Sequence, residues 1–146
     1  MRLAQGVRIV RNTSAVGQIG ETAVMQRLVR AGWQVLIPYG NSAPYDLVAE
    51  KDGRLVRLQV RTTEAEDGYI SANCRTKNNG EQIKSGAVDF LVVYDLSSDT
   101  AYVIPEEEFI GKNVFHIRLL PARSGQVRGI HPAEEYRERW DKLIGA

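Results

Sequence analysis

The dipeptide Asp52-Gly53 lies between two runs rich in branched and apolar residues, "DLVAEK" and "RLVRLQVRTT". A two-residue hairpin turn needs positive φ at its centre, which Gly adopts freely and Asp tolerates, so the pair predicts two antiparallel strands. That turn fixes a register. If Lys51 and Arg54 close the loop, Leu47 faces Leu58, Ala49 faces Val56, and Asp46 faces Gln59. The apolar pairs share one face of the hairpin. Gln59 and Arg61 fall on the other face together with Asp46, because side chains alternate along a strand and opposed residues point the same way. The approach, "PYGNSAPYD", is broken by two prolines and small polar residues, so Asp46 is expected at the beginning of its strand.

Upstream, Asn12, Thr13 and Ser14 offer N-cap side chains and Gly32 offers a left-handed stop, which predicts a helix between them. At about 100° per residue, Gly17, Gly20, Val24, Leu28 and Ala31 form a stripe, and Glu21 falls within roughly 20° of Leu28. A carboxylate is thereby turned towards the packed side. Downstream, "WQVLIP", "YISANC", "VDFLVVYDL", "TAYVIP" and "VFHIRLL" read as further strands. In "HPAEEYRERWDKLIGA", Pro132 suits a first helical turn and Tyr136, Trp140 and Leu143 recur at intervals of four and three, which predicts an amphipathic helix. Residues 75–86, "RTKNNGEQIKSG", read as a loop.

Two carboxylates and an amide oxygen around one point suit a hard cation such as Mg²⁺, which prefers oxygen donors and keeps several waters. Glu21, Asp46 and Gln59 are the candidate ligands, if the helix packs so as to bring Glu21 to the hairpin. A bound metal lowers the pKa of its water, and a neighbouring cation stabilises charge on a phosphoryl group. Arg61 is the candidate for that role.

The segments "GQIGE", "GWQVLIPYGNSAPYD", "RLQVRTT" and "VDFLVVYDLSSDTAYVIP", over residues 16–105, resemble the PD-(D/E)xK nuclease superfamily. The similarity is to the homing endonucleases of group I introns and related small nucleases in particular. It implies a restriction-endonuclease-like α/β fold, with a central mixed sheet flanked by helices in a single domain over residues 1–146. It also implies a divalent-metal-dependent DNA endonuclease that hydrolyses phosphodiester bonds with Mg²⁺ or Mn²⁺. Glu21, Asp46 and Gln59 match the helical Glu, the strand-entry Asp and the first residue of the D/E/Q-x-K motif. Arg61 stands where the family has lysine. A guanidinium stays protonated and spreads its charge over a planar fork, so chemistry that needs a neutral amine is excluded at this position. The alternative is therefore a weakened or inactive nuclease-fold DNA-binding protein.

The cluster Arg75, Lys77 and Lys84 is a candidate DNA-backbone contact, since flexible basic loops bind phosphates without reading bases. The expected partner is double-stranded or branched DNA. Cutting both strands with one site per chain calls for two copies, so a homodimer or homotetramer is expected. The 146 residues carry a net charge of only +1, so the overall balance gives no argument for nucleic acid. No apolar run is long enough to span a bilayer, Cys74 is alone, and a cytoplasmic protein is expected. Other readings remain open: a structural ion pair for Glu21, a turn cap for Asp46, an internal salt bridge between Arg61 and Asp46, and a protein-interaction surface at Trp140. His116, His131, Asp89, Asp95 and Asp99 are assigned no chemistry.

Overall fold

In a computed structural model, which describes residues 12–76, 80–121, 124–125 and 129–145, the leading helix α1 spans Thr13–Arg30. The Asn12 side chain caps it by accepting from the Ala15 N–H at 2.8 Å, and Gly32 ends it with φ at +89°. Its buried residues are Gly20, Val24 and Leu28, members of the expected stripe.

The strands are β1 (Gln34–Leu36), β2 (Leu47–Lys51), β3 (Arg54–Thr63), β4 (Tyr69–Asn73), β5 (Phe90–Asp95), β6 (Thr100–Pro105) and β7 (Val114–Arg118). A short helix α2, Glu106–Phe109, follows β6 and begins at the acidic run. The β2–β3 turn has positive φ at both Asp52 (51°) and Gly53 (79°), and the ladder pairs Lys51 with Arg54, Ala49 with Val56 and Leu47 with Leu58. The register matches the one expected. The central sheet runs β1-β2-β3-β5-β6; β3 and β5 are parallel and its other neighbours are antiparallel. β4 and β7 form a separate two-stranded sheet.

Alternation along β3 and β5 sorts two cores. Leu58, Val60, Phe90 and Val92 pack with Val24 and Leu28 of α1. Leu91, Val93, Tyr102 and Ile104 pack with Ile70, Ala72, Phe115 and Ile117 of the β4–β7 layer. All six residues of β5 are buried, as a central strand covered on both faces requires.

The expected C-terminal helix does not form. The segment instead makes two 3₁₀ turns, Ala133–Glu135 and Trp140–Leu143, separated by Glu138 with φ at +50°. Its backbone is diverted to the outer edge of β6. Val103 N–H donates to Tyr136 O at 2.9 Å, Glu138 N–H donates to Ala101 O at 2.8 Å, and Ala101 N–H donates to Glu138 Oε2 at 2.8 Å. A helix would satisfy its own backbone and leave that strand edge unpaired. The four-and-three spacing is real, but Tyr136 joins the core under β4–β7 whereas Leu143 joins the core under α1, so the segment wraps the sheet edge. Among the described residues no helix is long and apolar enough to cross a membrane.

Candidate active site

Glu21, Asp46 and Gln59 line one cavity of about 460 Å³ at the end of the β2–β3 hairpin, together with Ile37, Tyr45 and Thr76. Asp46 immediately precedes β2. Its N–H donates to Leu58 O at 2.9 Å and its Oδ2 accepts from Val60 N–H at 2.9 Å. Asp46 thus brackets Gln59, with its backbone N–H on one side and its carboxylate on the other. The carboxylate serves the Val60 N–H, which lies beyond the pairing of the first β2 residue, Leu47, with Leu58, so a side chain takes over where the strand ladder stops. The bond to Leu58 O also shows that the ladder slips at Asp46, which does not face Gln59 as squarely as the extrapolated register expects.

Glu21 reaches the cavity because α1 lies unusually close to β3. A Cβ on Gly20 would stand 1.8 Å from Thr62 Oγ1 and 3.0 Å from Thr62 Cβ. Only glycine permits that approach. Among the described residues, the buried Thr62 Oγ1 has no hydrogen-bond partner, so the contact carries a polar cost that the helix placement outweighs.

Arg61 is not among the residues that line the cavity, although it shares a strand face with Gln59. Its Nε donates to Asn73 O at 3.1 Å, one Nη donates to Arg75 O, and the other donates to Val60 O at 3.3 Å. The Asn73 and Arg75 carbonyls lie at or beyond the end of β4 and Val60 O lies in β3, and the planar fork collects all three. Burial lowers the Arg61 pKa, against which the Asp46 charge acts to raise it, so the guanidinium still feels the carboxylate. Thr76, which follows the clamped Arg75, lines the cavity. Thr76 carried no signal in the sequence, because a fold-dependent clamp on its neighbours puts it there.

Of the basic cluster, Arg75 and Lys84 are exposed, and Lys77 lies outside the described residues. The loop between them is tied down in part. Arg75 bridges to Gln82, Gln82 Nε2 donates to Gly111 O at 2.9 Å, and Ile83 is buried.

A model of the PD-(D/E)XK endonuclease family matches residues 11–139. The chain belongs to that family. This PD-(D/E)XK chain is 34% identical over 91 residues to a UPF0102 protein of Roseiflexus castenholzii (strain DSM 13941 / HLO8), covering 61% of the chain and 73% of that relative. Among solved structures it is similar to I-Ssp6803I, a bacterial homing endonuclease, with a TM-score of 0.73, 27% identity, and 93% of this chain and 94% of that one covered. The Holliday junction resolvase Hjc of Archaeoglobus fulgidus superimposes with a TM-score of 0.55 at 14% identity over 88% of this chain and 95% of that one, a likeness of fold. The restriction-endonuclease-like fold expected from the sequence is therefore the fold observed.

The donor set of this PD-(D/E)XK chain fits a hard divalent cation. Two carboxylates and an amide supply oxygen only, and the amide is needed as the third donor, since among the described residues no group of three or more His, Cys, Asp and Glu could hold a metal ion.

Proposed function

We propose that this chain is a divalent-metal-dependent DNA endonuclease that hydrolyses phosphodiester bonds, with Glu21, Asp46 and Gln59 as the ligands of Mg²⁺ or Mn²⁺. The observation that carries the reading is the meeting of these three side chains, from α1, the entry to β2 and β3, at one cavity. Family membership supports it, since PD-(D/E)XK nucleases generally use divalent metals. So does the likeness to a homing endonuclease over nearly the whole chain. A divalent cation held there would supply activation of a water and stabilisation of charge on the phosphoryl oxygen. Asp46, fixed by the Val60 N–H, presents a rigid carboxylate to the cavity, and Gln59 contributes a neutral oxygen that adds no negative charge against the incoming phosphate. Arg61 contributes a fixed positive charge close to Asp46 and holds the 73–76 segment in place. Arg75 and Lys84 are proposed backbone contacts, and two or four copies of the chain would supply the sites for cutting both strands.

A second reading is favoured by the Arg61 contacts: a guanidinium committed to three carbonyls replaces the motif lysine, and the chain binds DNA with weak or no cleavage. One assay separates the two readings. Supercoiled and branched DNA are incubated with Mg²⁺ or Mn²⁺ and the wild type, Asp46→Ala or Arg61→Lys. The first reading expects metal-dependent cutting by the wild type that Asp46→Ala abolishes. Salt-sensitive binding without cutting by the wild type supports the second reading. Cutting gained only with Arg61→Lys identifies the arginine as the element that disarms the site.

A further inference from the structure

The loop that enters β2 carries an apolar rim that metal binding and phosphate contact leave unused. Ile37 lines the cavity and is 68% exposed, while Tyr39 is exposed along its whole side chain. Pro38 and Gly40, on either side of Tyr39, both line the cavity, so Tyr39 is flanked by its wall without being part of it. Single exposed apolar residues are ordinary on a protein surface. Two of them within three residues, one on the wall of a cavity that holds carboxylates and an amide and the other between two residues of that wall, are a different matter. Pro38 restricts its own φ and that of the residue before it, which keeps the rim presented instead of collapsed.

A phosphate gains nothing from such side chains, because it needs donors or positive charge. Another part of the cavity supplies a donor: Thr76 lines it, and the exposed Arg75 precedes Thr76 in the chain. The part of DNA that gains from an aromatic and an aliphatic surface is the face of a base. In a continuous duplex those faces are covered by stacking, and only an unpaired nucleotide offers one.

Resting on the nuclease reading, we propose that Ile37 and Tyr39 form a base-contacting rim, and that the preferred DNA carries unpaired nucleotides beside the phosphodiester at the cavity. Continuity with the proposed cleavage site favours this occupant over a second copy of the chain, since Ile37 lines the same cavity as Glu21, Asp46 and Gln59.

The test compares wild type, Tyr39→Ala and Tyr39→Phe on a plain duplex and on the same duplex with a single-stranded branch, by fluorescence anisotropy with Ca²⁺ replacing Mg²⁺ to slow hydrolysis. Full exposure of Tyr39 leaves the fold intact in both variants, which circular dichroism checks. Loss of one stacked base weakens binding about 5- to 150-fold. That loss is expected for Tyr39→Ala on branched DNA, with little change on the duplex and near-complete retention for Tyr39→Phe. A 2-aminopurine at the unpaired position is expected to be quenched by wild type and not by Tyr39→Ala. Equal loss on both DNAs, or none on either, overturns the inference and leaves the nuclease reading standing. A wild type that binds neither DNA overturns the nuclease reading, and the rim with it. A lower solution mass for Tyr39→Ala by light scattering assigns the rim to contact between copies and also overturns the inference.

Discussion

Asp95 and Asp46 each stand at the end of a strand of the same sheet, but their surroundings are built to opposite ends. Asp95, at the end of β5, is 1% exposed and accepts from Ala65 N–H and Ser97 N–H at 3.1 Å and from the Ser97 and Ser98 hydroxyls at 2.6 Å. Its partners close a turn around it. Asp46 accepts from the Val60 N–H and shares a cavity with Glu21 and Gln59. The residue type and strand position are alike, so the difference comes from what packs around the carboxylate. Local serines make Asp95 a structural plug, whereas an irregular proline-containing approach leaves Asp46 beside space that a ligand can fill.

The sharpest way to break that comparison is to remove both carboxylates in turn. Asp46→Ala is expected to lower metal-dependent cleavage by at least about 100-fold, the scale of losing one fixed electrostatic group, with a stability cost of about 1 kcal/mol for one backbone hydrogen bond. Cleavage assays and denaturant melts on the same sample read the two effects. Asp95→Ala is expected to show the reverse. Removing the acceptor of four part-buried hydrogen bonds costs about 2 kcal/mol in a urea melt, with cleavage per folded molecule unchanged. Equal effects on activity in the two variants would remove the distinction.

Gly20→Ala tests whether close packing places Glu21. Helix propensity alone would stabilise by about 1 kcal/mol. The clash with Thr62 is expected to reverse that sign, to a net loss of about 1–2 kcal/mol with reduced cleavage, because α1 must move off β3. Thr62→Ala removes the closest atom and is expected to restore part of both.

The smallest effect is on acid stability. Burial raises the Asp89 pKa, but the hydrogen bonds from the Arg57 side chain and backbone outweigh it, and the carboxyl lies below its ordinary value. Asp99 is lowered first by the Tyr94 hydroxyl, against burial, and further by Arg27. Depressed carboxyl pKa values mean that the unfolded chain binds protons first as pH falls. The stabilisation is complete above the ordinary carboxylate pKa and is lost as pH drops through the lower folded values. Asp89→Asn is expected to flatten the acid limb of a stability-against-pH curve by less than about 1 kcal/mol, since the pair is partly exposed.

Much of this was legible from short-range chemistry. Asn12 and Gly32 mark the ends of α1, Asp52-Gly53 fixes the hairpin, and alternation separates Leu58 and Val60 from Gln59 and Arg61. Each of these depends on neighbours in sequence or on one turn. The failed C-terminal helix and the unforeseen course of the Arg61 side chain have a common origin. The Tyr136, Trp140 and Leu143 spacing suits a helix, but the unpaired edge of β6 claims the intervening backbone, and an exposed edge is invisible until the sheet is assembled. Arg61 shares a face with Gln59 as expected, but the carbonyls beyond β4 claim its guanidinium and keep it off the cavity wall.

The sequence by itself determined the local geometry of this protein: the capped helix, the positive-φ turn, the hairpin register, and which face of β3 is polar. These follow from steric and hydrogen-bonding preferences that act within a few residues. Tertiary structure alone decided that Glu21 meets Asp46 and Gln59, through the missing Cβ of Gly20 against Thr62, and that Thr76, Ile37 and Tyr45 share their cavity. It also decided that the arginine in place of the motif lysine serves the end of β4. Such contacts depend on which distant backbone groups remain unsatisfied after the sheet has formed, and no local pattern carries that information.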